Sequence, residues 1–247
     1  FSKRPDAQPV SVLGADFRFR LDRGLFEPAS GPTQYGLALD AWGNRFSTHN
    51  SRHVSHTIMP RRYLARNPFF TLAQASENIS DHGESVFQLT APEVWREQRT
   101  RIRQRRFQEL QLDRKEEASG FFTGASGGTV YLGDTFPEEY RGNLFTGDVA
   151  GHLVHRDILR PRGDTFVASR GDSEEGTEFL ASTDPWFRPC NLANGPDGNL
   201  YVVDMYRQVI EGPEFIPESL KGDLDFYAGD DRGRIYRVLP KTSVPRG

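Results

Sequence analysis

The sequence contains a single cysteine, Cys190. One cysteine excludes an internal disulfide, and it also excludes a haem attached through a C-x-x-C-H motif. Because Cys190 follows a proline in an apolar stretch, we predict a small buried hydrophobic residue there, not a nucleophile. Lysine is scarce too, yet the 31 basic residues nearly balance the 34 acidic ones. This balance disfavours binding to nucleic acid or to an anionic membrane.

Long hydrophobic runs are also missing. No apolar stretch approaches the roughly 20 residues that a membrane-spanning helix needs, so the sequence predicts no transmembrane segment. The chain opens on Phe1 and the charged segment FSKRPD, which has no resemblance to a secretory signal peptide. We therefore expect a processed or partial chain.

Helical periodicity is poor almost everywhere, and 24 glycines and 16 prolines are spread along the chain. Short runs of alternating apolar residues lie between these turn-forming residues, a pattern typical of β-strands in a sandwich, barrel or propeller. We therefore predict an all-β fold. The predicted strands cover residues 15–21, 35–40, 44–49, 85–90, 129–134, 143–149, 152–158, 165–170, 199–206 and 234–239.

A recurring turn selects among the all-β architectures. Gly-Asn precedes a strand at Gly43, Gly142 and Gly198, and this pair supplies the positive φ angles of a tight hairpin. A four-stranded propeller blade takes roughly 40–50 residues. The spacing of the turns therefore predicts a β-propeller with about four visible blades. We assign residues 1–240 to this domain and 241–247 to a tail.

The segment from Pro92 to Ser119 is an exception to the strand pattern. It predicts either a helix with an apolar stripe of Ile102, Phe107 and Leu110 or an outer strand through RTRIRQRR. Acidic residues follow the arginines directly, and few aromatic residues are interleaved with them. We therefore interpret this arginine cluster as a solvated surface that does not bind nucleic acid.

The stretch from Asp184 to Arg207 is the first candidate site. Residues 196–199, Pro-Asp-Gly-Asn, form a hairpin turn between two predicted strands. The polar flanks are costly to bury without partners. They could line a site for a polar ligand or Ca²⁺, or they could form an ion pair between neighbouring blades. These flanking residues are Arg188, Asp204, Tyr206 and Arg207.

Histidines form a second candidate site, with His49, His53 and His56 inside eight residues. Their surroundings predict strand and loop, and no matching carboxylate or cysteine pattern accompanies them, so a closed metal site is disfavoured. A single histidine, His56, is favoured as a base or hydrogen-bond partner. His152 and His155 are expected to face opposite ways on a strand, one packed inward and one pointing outward, without a functional role.

Two acidic loops and a glycine-rich stretch complete the candidates. Residues 134–143 and 170–179 could bind Ca²⁺, but neither has an EF-hand pattern, so we predict solvated loops. The GASGG stretch at 124–128 lacks the strand-to-helix context of a phosphate-binding loop. No nucleophile elbow, P-loop or H-E-x-x-H motif is present in the sequence.

The chain resembles a known family through five segments: FLASTDPWFRPCNLANGPDGNLYVVDMYR, FPEEYRGNLFTGDVAGHLVHRDIL, GPTQYGLALDAWGNRF, RYLARNPF and AGDDRGRIYRVLP. From about Val12 to Pro240 it is similar to a bacterial family described as membrane-bound dehydrogenases, frequent in planctomycetes. The resemblance implies a six-bladed propeller of the glucose/sorbosone dehydrogenase type. This chain would then form the C-terminal two-thirds of such a propeller.

The resemblance also implies an activity, a location and partners. A periplasmic or secreted protein of this type would oxidise a sugar or a sugar-derived alcohol. Electrons would pass to a quinone or cytochrome acceptor. The implied cofactors are pyrroloquinoline quinone and Ca²⁺. The implied partners are a cytochrome c or other subunits of an assembly, besides a small polar substrate.

Several residues receive roles from the resemblance because they match family positions. His56 would act as the catalytic base, and Asp204 would ligate Ca²⁺. Arginines bind carboxylates such as those of the quinone in a bidentate way. The residues that would hold the quinone are Arg188, Tyr206, Arg207 and Arg232.

The sequence also departs from the family pattern. Typical members begin well before Phe1 with about two further blades, and many carry a haem domain that this chain lacks. The catalytic histidine of soluble quinoprotein glucose dehydrogenases lies in an earlier blade and has no counterpart here. These departures favour an alternative, a non-catalytic propeller that acts as a binding or scaffold subunit. A Ca²⁺-dependent lactonase or hydrolase is a third possibility, since fold does not fix function.

Overall fold

A computed structural model describes residues 9–67, 69, 75–113 and 115–241. Strands dominate these residues and pair in antiparallel sheets, which confirms the predicted all-β fold. The strands are β1 (Asp16–Arg20), β2 (Leu25–Ala29), β3 (Gly36–Leu39), β4 (Arg45–His49), β5 (Arg52–Thr57), β6 (Ser76–Asn78), β7 (Ala125–Val130), β8 (Leu144–Asp148), β9 (Leu153–Arg162), β10 (Thr165–Ser169), β11 (Leu180–Ala181), β12 (Pro189–Asn194), β13 (Leu200–Asp204) and β14 (Arg234–Val238). The helices are α1 (Arg61–Leu64), α2 (Val94–Glu109) and α3 (Glu218–Lys221), with 3₁₀ turns at Leu21–Arg23, Glu138–Tyr140 and Pro213–Phe215.

The strands form three main sheets and one hairpin. Sheet I has the order β3-β4-β5-β6, and sheet II has the order β10-β9-β8-β7 with β11 added beside β9. Sheet III has the order β12-β13-β14, while β1 and β2 pair only with each other. Within the described residues none of these sheets closes on itself. Each sheet is built from strands that follow one another along the chain, as hairpin-connected strands do.

Sheet II lies between the other two sheets because its strands carry apolar residues on both faces. On β8, Leu144 packs with residues of sheet I, whereas its neighbour Phe145 packs with residues of sheet III. Successive side chains of a strand point to opposite faces, so both contacts follow from one buried strand. The core toward sheet I contains Ala38, Phe46, Val54, Val130 and Ala168, and the core toward sheet III contains Tyr131, Val154, Leu192, Leu200 and Val202.

The first strands of the three sheets approach closely where β7 passes between β3 and β12. The backbone N–H of Gly127 donates to the carbonyl of Tyr35 at 2.8 Å. A Cβ on Gly127 would overlap the backbone of Asn191, and a Cβ on Gly128 would overlap the Thr48 hydroxyl. The GASGG stretch is therefore explained by packing, because its glycines let neighbouring sheets touch.

The predicted turns are confirmed by the structure, whereas one of the predicted strands is wrong. Gly43, Gly142 and Gly198 all have φ between 79° and 85°, which confirms the Gly-Asn turns. The strand predicted at 85–90 is wrong, because this segment forms only an isolated bridge. Instead, the backbone N–H of Phe87 in this segment donates to a side chain of the 170–179 loop.

The ambiguous segment after Pro92 forms helix α2, but the predicted apolar stripe is wrong. Ile102 and Leu110 are 53% and 57% exposed, so they do not lie on the buried face. The buried residues are Trp95, Arg96 and Thr100. The N-terminal half of the helix packs instead on a small separate core, in which Trp95 contacts Val209 and Ile216.

The domain prediction is only partly covered by the described residues. The described elements run from β1 to β14, inside the predicted 1–240 domain, and residues 1–8 and 242–247 lie outside the description. The described strands form three multi-stranded sheets and a hairpin, and the division into four propeller blades stays a prediction. In the part of the chain described, no helix is both long and apolar enough to cross a membrane.

The close approach of β7 to β12 makes a stability prediction. Gly127 and Gly163 have nearly equal φ angles of 62° and 64°, but only at Gly127 would a Cβ meet a neighbouring strand. Gly163→Ala should cost about 1–2 kcal/mol through its left-handed backbone. Gly127→Ala should cost a further ~1–3 kcal/mol because β12 must move. Urea denaturation checks both variants, and equal losses would contradict the proposed packing.

Candidate metal centre

Arg188 is fully buried, and its guanidinium is occupied by the protein itself. It donates to the carboxylate of Glu93 at 2.7 Å. Further donation goes to the backbone carbonyls of Val149, Arg207 and Gln208 at 2.7–2.9 Å. Burial lowers the pKa of Arg188, an effect opposed by Glu93. The side chain therefore links the start of sheet III to the turn after β8 and to the chain before α2.

Asp204 and Tyr206 lie beside Arg188 but make mainly local contacts. One carboxylate oxygen of Asp204 accepts the backbone N–H groups of Arg188 and Tyr206, each at 2.8 Å. The other oxygen lies 3.8 Å from Arg234 Nε, so the ion pair of Asp204 stays within sheet III. The Tyr206 ring contacts Trp186, with 5.7 Å between the ring centroids.

The other arginines predicted to hold a cofactor are not gathered around Arg188. Arg207 donates from its guanidinium to the carbonyl of Tyr227 at 3.0 Å. Arg232 is exposed, and its nearest acidic partner is the adjacent Asp231 at 3.7 Å. The structure thus brings together Arg188, Asp204 and Tyr206 but leaves the Arg207 and Arg232 guanidinium groups with separate partners. A quinone site at these residues stays a prediction.

His56, the predicted base, lies in a different part of the molecule, between sheets I and II. Its Nδ1 is 3.0 Å from the hydroxyl of Thr165, and its ring packs against Phe46 and Phe166. Burial lowers the pKa of His56, which favours the neutral imidazole. Its catalytic role stays a prediction too.

A separate cluster of histidines and a carboxylate lies at the junction of sheets I and II. His53 comes from β5 of sheet I, and His155 and Asp157 come from β9 of sheet II. Because His155 and Asp157 are two residues apart on a strand, their side chains share a face. His82 lies in the loop after β6. These four side chains each place one nitrogen or oxygen atom within 4.8 Å of the others.

Asp157 lies at the centre of this cluster. Its two carboxylate oxygens lie 3.1 Å from His53 Nε2, 3.0 Å from His82 Nε2 and 3.4 Å from His155 Nε2. Ligands of a tetrahedral metal with bonds of about 2.0 Å are about 3.3 Å apart. The distances from the three imidazole nitrogens to the carboxylate oxygens therefore match the spacing of neighbouring metal ligands, and all four candidate ligand atoms lie within 4.8 Å of one another.

Two further carboxylates orient the rings of the cluster. His53 Nδ1 donates to Glu84 at 3.0 Å, and His155 Nδ1 donates to Glu178 at 2.7 Å. Glu178 is itself fully buried and paired with Arg170 at 3.0 Å, so the prediction of a solvated 170–179 loop is wrong at this residue. Metal-ligating histidines typically donate their other ring N–H to a carboxylate in this way.

Hydrogen bonding within the protein leaves the centre of the cluster incomplete. His53 Nε2, His155 Nε2 and Asp157 Oδ2 are buried and make no hydrogen bond of acceptable geometry, although they lie close together. Buried polar atoms normally have partners, and an exception points to a missing ion or water. A cation bound between these atoms would satisfy all three at once.

The electrostatics of the metal-free cluster are dominated by Asp157. Burial opposes the charged form of His53, but Asp157 and Glu84 outweigh burial and raise the pKa of His53 to about 9. Burial likewise opposes protonation of His155, whose pKa is nevertheless raised by Asp157 and Glu178. The imidazoles in turn hold the pKa of Asp157 well below its usual range, against the effect of burial. The cluster thus holds protons where a metal ion would bind.

The donor set indicates which cation would fit. Three imidazole nitrogens and one carboxylate oxygen suit zinc and neighbouring divalent transition metals. Calcium takes six to eight oxygen ligands and is a poor match. Within the described residues, Asp204 belongs to no group of three or more potential metal ligands. Asp204, the predicted calcium ligand, therefore lacks the neighbouring ligands that this cluster provides.

Sequence reasoning missed this centre because its members are far apart along the chain. His53 was considered only with His49 and His56, and no nearby carboxylate supported a metal site. The structure supplies the carboxylate from β9, about a hundred residues later. One signal was available in the sequence, the alternation His155-x-Asp157 on a predicted strand, which places a base and an acid on one face.

A cavity of about 1110 Å³ borders the cluster and the stretch that contains Arg188. Glu84 and Phe122 line this cavity, and both also contact His53, with 4.4 Å between the Phe122 and His53 ring centroids. Cys190 lies in the cavity wall as well, where burial raises the pKa of its thiol and favours the unreactive protonated form. The charged lining is balanced, with Arg96, Arg99 and Arg103 near Glu116, Glu117 and Glu211.

Together the sheets and the cluster define a β-sheet protein with a candidate transition-metal centre. The chain belongs to a family described as a domain of unknown function, DUF7133, whose model matches residues 2–242. No curated protein and no solved structure matches the chain.

The raised pKa of His53 predicts how the stability of the metal-free protein depends on pH. The folded protein keeps a proton up to about pH 9 that the unfolded chain releases near pH 6.5. This stabilisation is complete below pH 6.5 and is lost as the pH rises through 9. We therefore expect the free energy of unfolding in the presence of a chelator to fall between pH 6.5 and 9.

Urea denaturation across this pH range provides the test. His53→Gln should show a smaller fall, because the protonated group is removed, while His155 still contributes. His49→Gln is the matched control, since His49 lies outside the cluster, and it should keep the full dependence. A free energy of unfolding that stays level from pH 6.5 to 9 in the unsubstituted protein would contradict the description of the cluster.

Proposed function

We propose that this chain is a metal-binding domain in which one divalent transition-metal ion joins two neighbouring β-sheets. His53 supplies a ligand from sheet I, and His155 and Asp157 supply ligands from sheet II, with His82 as the fourth. The observation that carries the proposal is the group of buried nitrogen and oxygen atoms that converge on one point between the sheets, three of which make no hydrogen bond of acceptable geometry. Zn²⁺ accepts imidazole nitrogens and carboxylate oxygens as ligands, and four-coordinate tetrahedral geometry is usual where the protein supplies all of them.

The metal would act on the junction of the two sheets. A preformed site rarely exists in an unfolded chain, so the free energy of metal binding adds to the free energy of folding. Without metal, the junction depends on imidazolium groups around Asp157, and this arrangement weakens as the pH rises. The metal replaces these protons, which makes the junction less dependent on pH.

The architecture that best accommodates this role is a β-propeller. Sheets I, II and III each begin with a strand that contacts the neighbouring first strand, and successive hairpin-connected strands follow outward. Neighbouring blades of a propeller pack in this manner around a central axis. The six-bladed form implied by the family resemblance extends this proposal, because it requires blades beyond those described.

Metal analysis tests the proposed function directly. We expect purified protein, stripped with a chelator and reloaded with Zn²⁺, to retain one equivalent per chain after gel filtration, as measured by mass spectrometry. His155→Ala should lose the metal because it removes a ligand atom, and Asp157→Asn should bind it much more weakly because a neutral amide replaces the carboxylate. At a free zinc concentration of 100 times Kd, binding should stabilise the folded protein by about 2.7 kcal/mol.

The matched control for this test is His49→Ala, which removes a histidine outside the cluster and should leave one equivalent bound. Circular dichroism establishes that each variant is folded before its metal content is compared. Equal zinc content in the Asp157→Asn variant and the unsubstituted protein would place the metal elsewhere. If the unsubstituted protein binds no metal, the proposed function is ruled out.

The quinoprotein dehydrogenase is a second proposal, supported by the cavity beside Cys190 and Met205. Its volume of about 1110 Å³ is ample for a cofactor-sized ligand. This proposal ranks second because the Arg188, Arg207 and Arg232 guanidinium groups each have partners within the protein. An extracytoplasmic location and a cytochrome c partner belong to the same proposal. The scaffold alternative agrees better with a metal that joins two sheets.

An electron-transfer assay separates the two proposals. If the chain is a quinoprotein dehydrogenase, adding pyrroloquinoline quinone and Ca²⁺ should let it reduce an artificial acceptor dye with some member of a carbohydrate and alcohol panel. His56→Ala should then lose this activity, because its base would be absent. Failure to reduce the dye with every substrate would eliminate the dehydrogenase proposal and leave the metal centre unaffected.

A further inference from the structure

The four potential ligands of the metal centre are not equivalent. His53, His155 and Asp157 lie on strands, and their side chains are 0–1% exposed. His82 lies in a loop, and its side chain is 15% exposed. His82 therefore differs from the other three potential ligands, because it lies in a loop and is more accessible to solvent.

The hydrogen bonds of the outer ring nitrogens, Nδ1, show the same difference, while His82 Nε2 lies within hydrogen-bond distance of Asp157, at 3.0 Å. The Nδ1 atoms of His53 and His155 each donate to a buried or half-buried glutamate. His82 Nδ1 is buried and has no hydrogen-bond partner. Loss of such an outer partner typically weakens metal binding by about 10–100-fold. His82 is therefore the weakest of the four ligands.

The backbone near His82 is nevertheless anchored to sheet II. The N–H of Asp81 donates to the carbonyl of Ala168 at 3.0 Å, and the Ser169 hydroxyl donates to the Asp81 carboxylate at 2.5 Å. The Ser80 hydroxyl donates to the carbonyl of Gly83 at 2.9 Å, which closes the loop. Because these contacts hold the backbone, His82 can leave the centre by rotation of its side chain alone.

We propose that His82 is an exchangeable ligand whose position on the metal is taken by water or a small inorganic anion. This inference rests on the proposed metal-binding function. The remaining ligands, His53, His155 and Asp157, form a two-histidine, one-carboxylate set that holds the metal without His82. Centres with three protein ligands and one exchangeable position bind external ligands, whereas centres with four fixed ligands do not.

Cobalt substitution with azide as the probe tests the inference. Co²⁺ replaces Zn²⁺ in nitrogen and oxygen sites and gives visible absorption bands that report coordination. We expect azide to change the spectrum of the Co²⁺-loaded protein in a saturable way. His82→Ala should still bind one Co²⁺ with affinity reduced about 10–100-fold, and it should bind azide at least tenfold more tightly because the position is free.

Matched variants decide the outcome. His82→Asn repeats the test with a polar side chain in the same loop. His49→Ala is the control for the loss of a histidine outside the centre. His155→Ala shows the signal expected when the metal is lost completely. Loss of Co²⁺ from both His82 variants to the level of His155→Ala would overturn the inference, as would spectra that azide leaves unchanged. If the unsubstituted protein binds no Co²⁺ at all, the proposed function fails together with the inference. Binding of one Co²⁺ without an azide response overturns only the inference.

Discussion

Asp157 is a carboxylate with no exposed surface, and its charge requires compensation inside the protein. An unpaired buried ion costs several kcal/mol even after the protein relaxes around it. The compensation comes from His53 of sheet I and His155 of sheet II, either as imidazolium groups or as ligands of a shared metal ion. Either form draws the two sheets together at this point, so the position of β5 relative to β9 depends on one carboxylate.

The two junctions of sheet II are stabilised in different ways. Toward sheet III, the contact consists of an apolar core and of Arg188, whose guanidinium is saturated by protein groups. Toward sheet I, an apolar core is joined by the polar centre around Asp157. At the junction toward sheet I, three histidines face a buried carboxylate without complete hydrogen bonding. We therefore expect the stability of this junction to depend on protonation.

Local features of the fold could be predicted from the sequence, whereas the site could not. Alternating residues predicted strands such as β8, and Gly-Asn pairs predicted turns at Gly43 and Gly142, since both signals depend on neighbouring residues. The centre depends on long-range pairing, which brings residues about a hundred positions apart into contact. The burial of Arg188 was missed for the same reason. Its ion-pair partner, Glu93, lies 95 residues earlier in the chain.

The most direct test of the metal centre is a crystal structure of the zinc-loaded protein, with data collected on both sides of the zinc absorption edge. We expect one strong anomalous difference peak about 2.0 Å from His53 Nε2, His155 Nε2 and an oxygen of Asp157. A map with no peak at this position, in crystals whose zinc content is established by fluorescence, would show that these residues do not hold the metal.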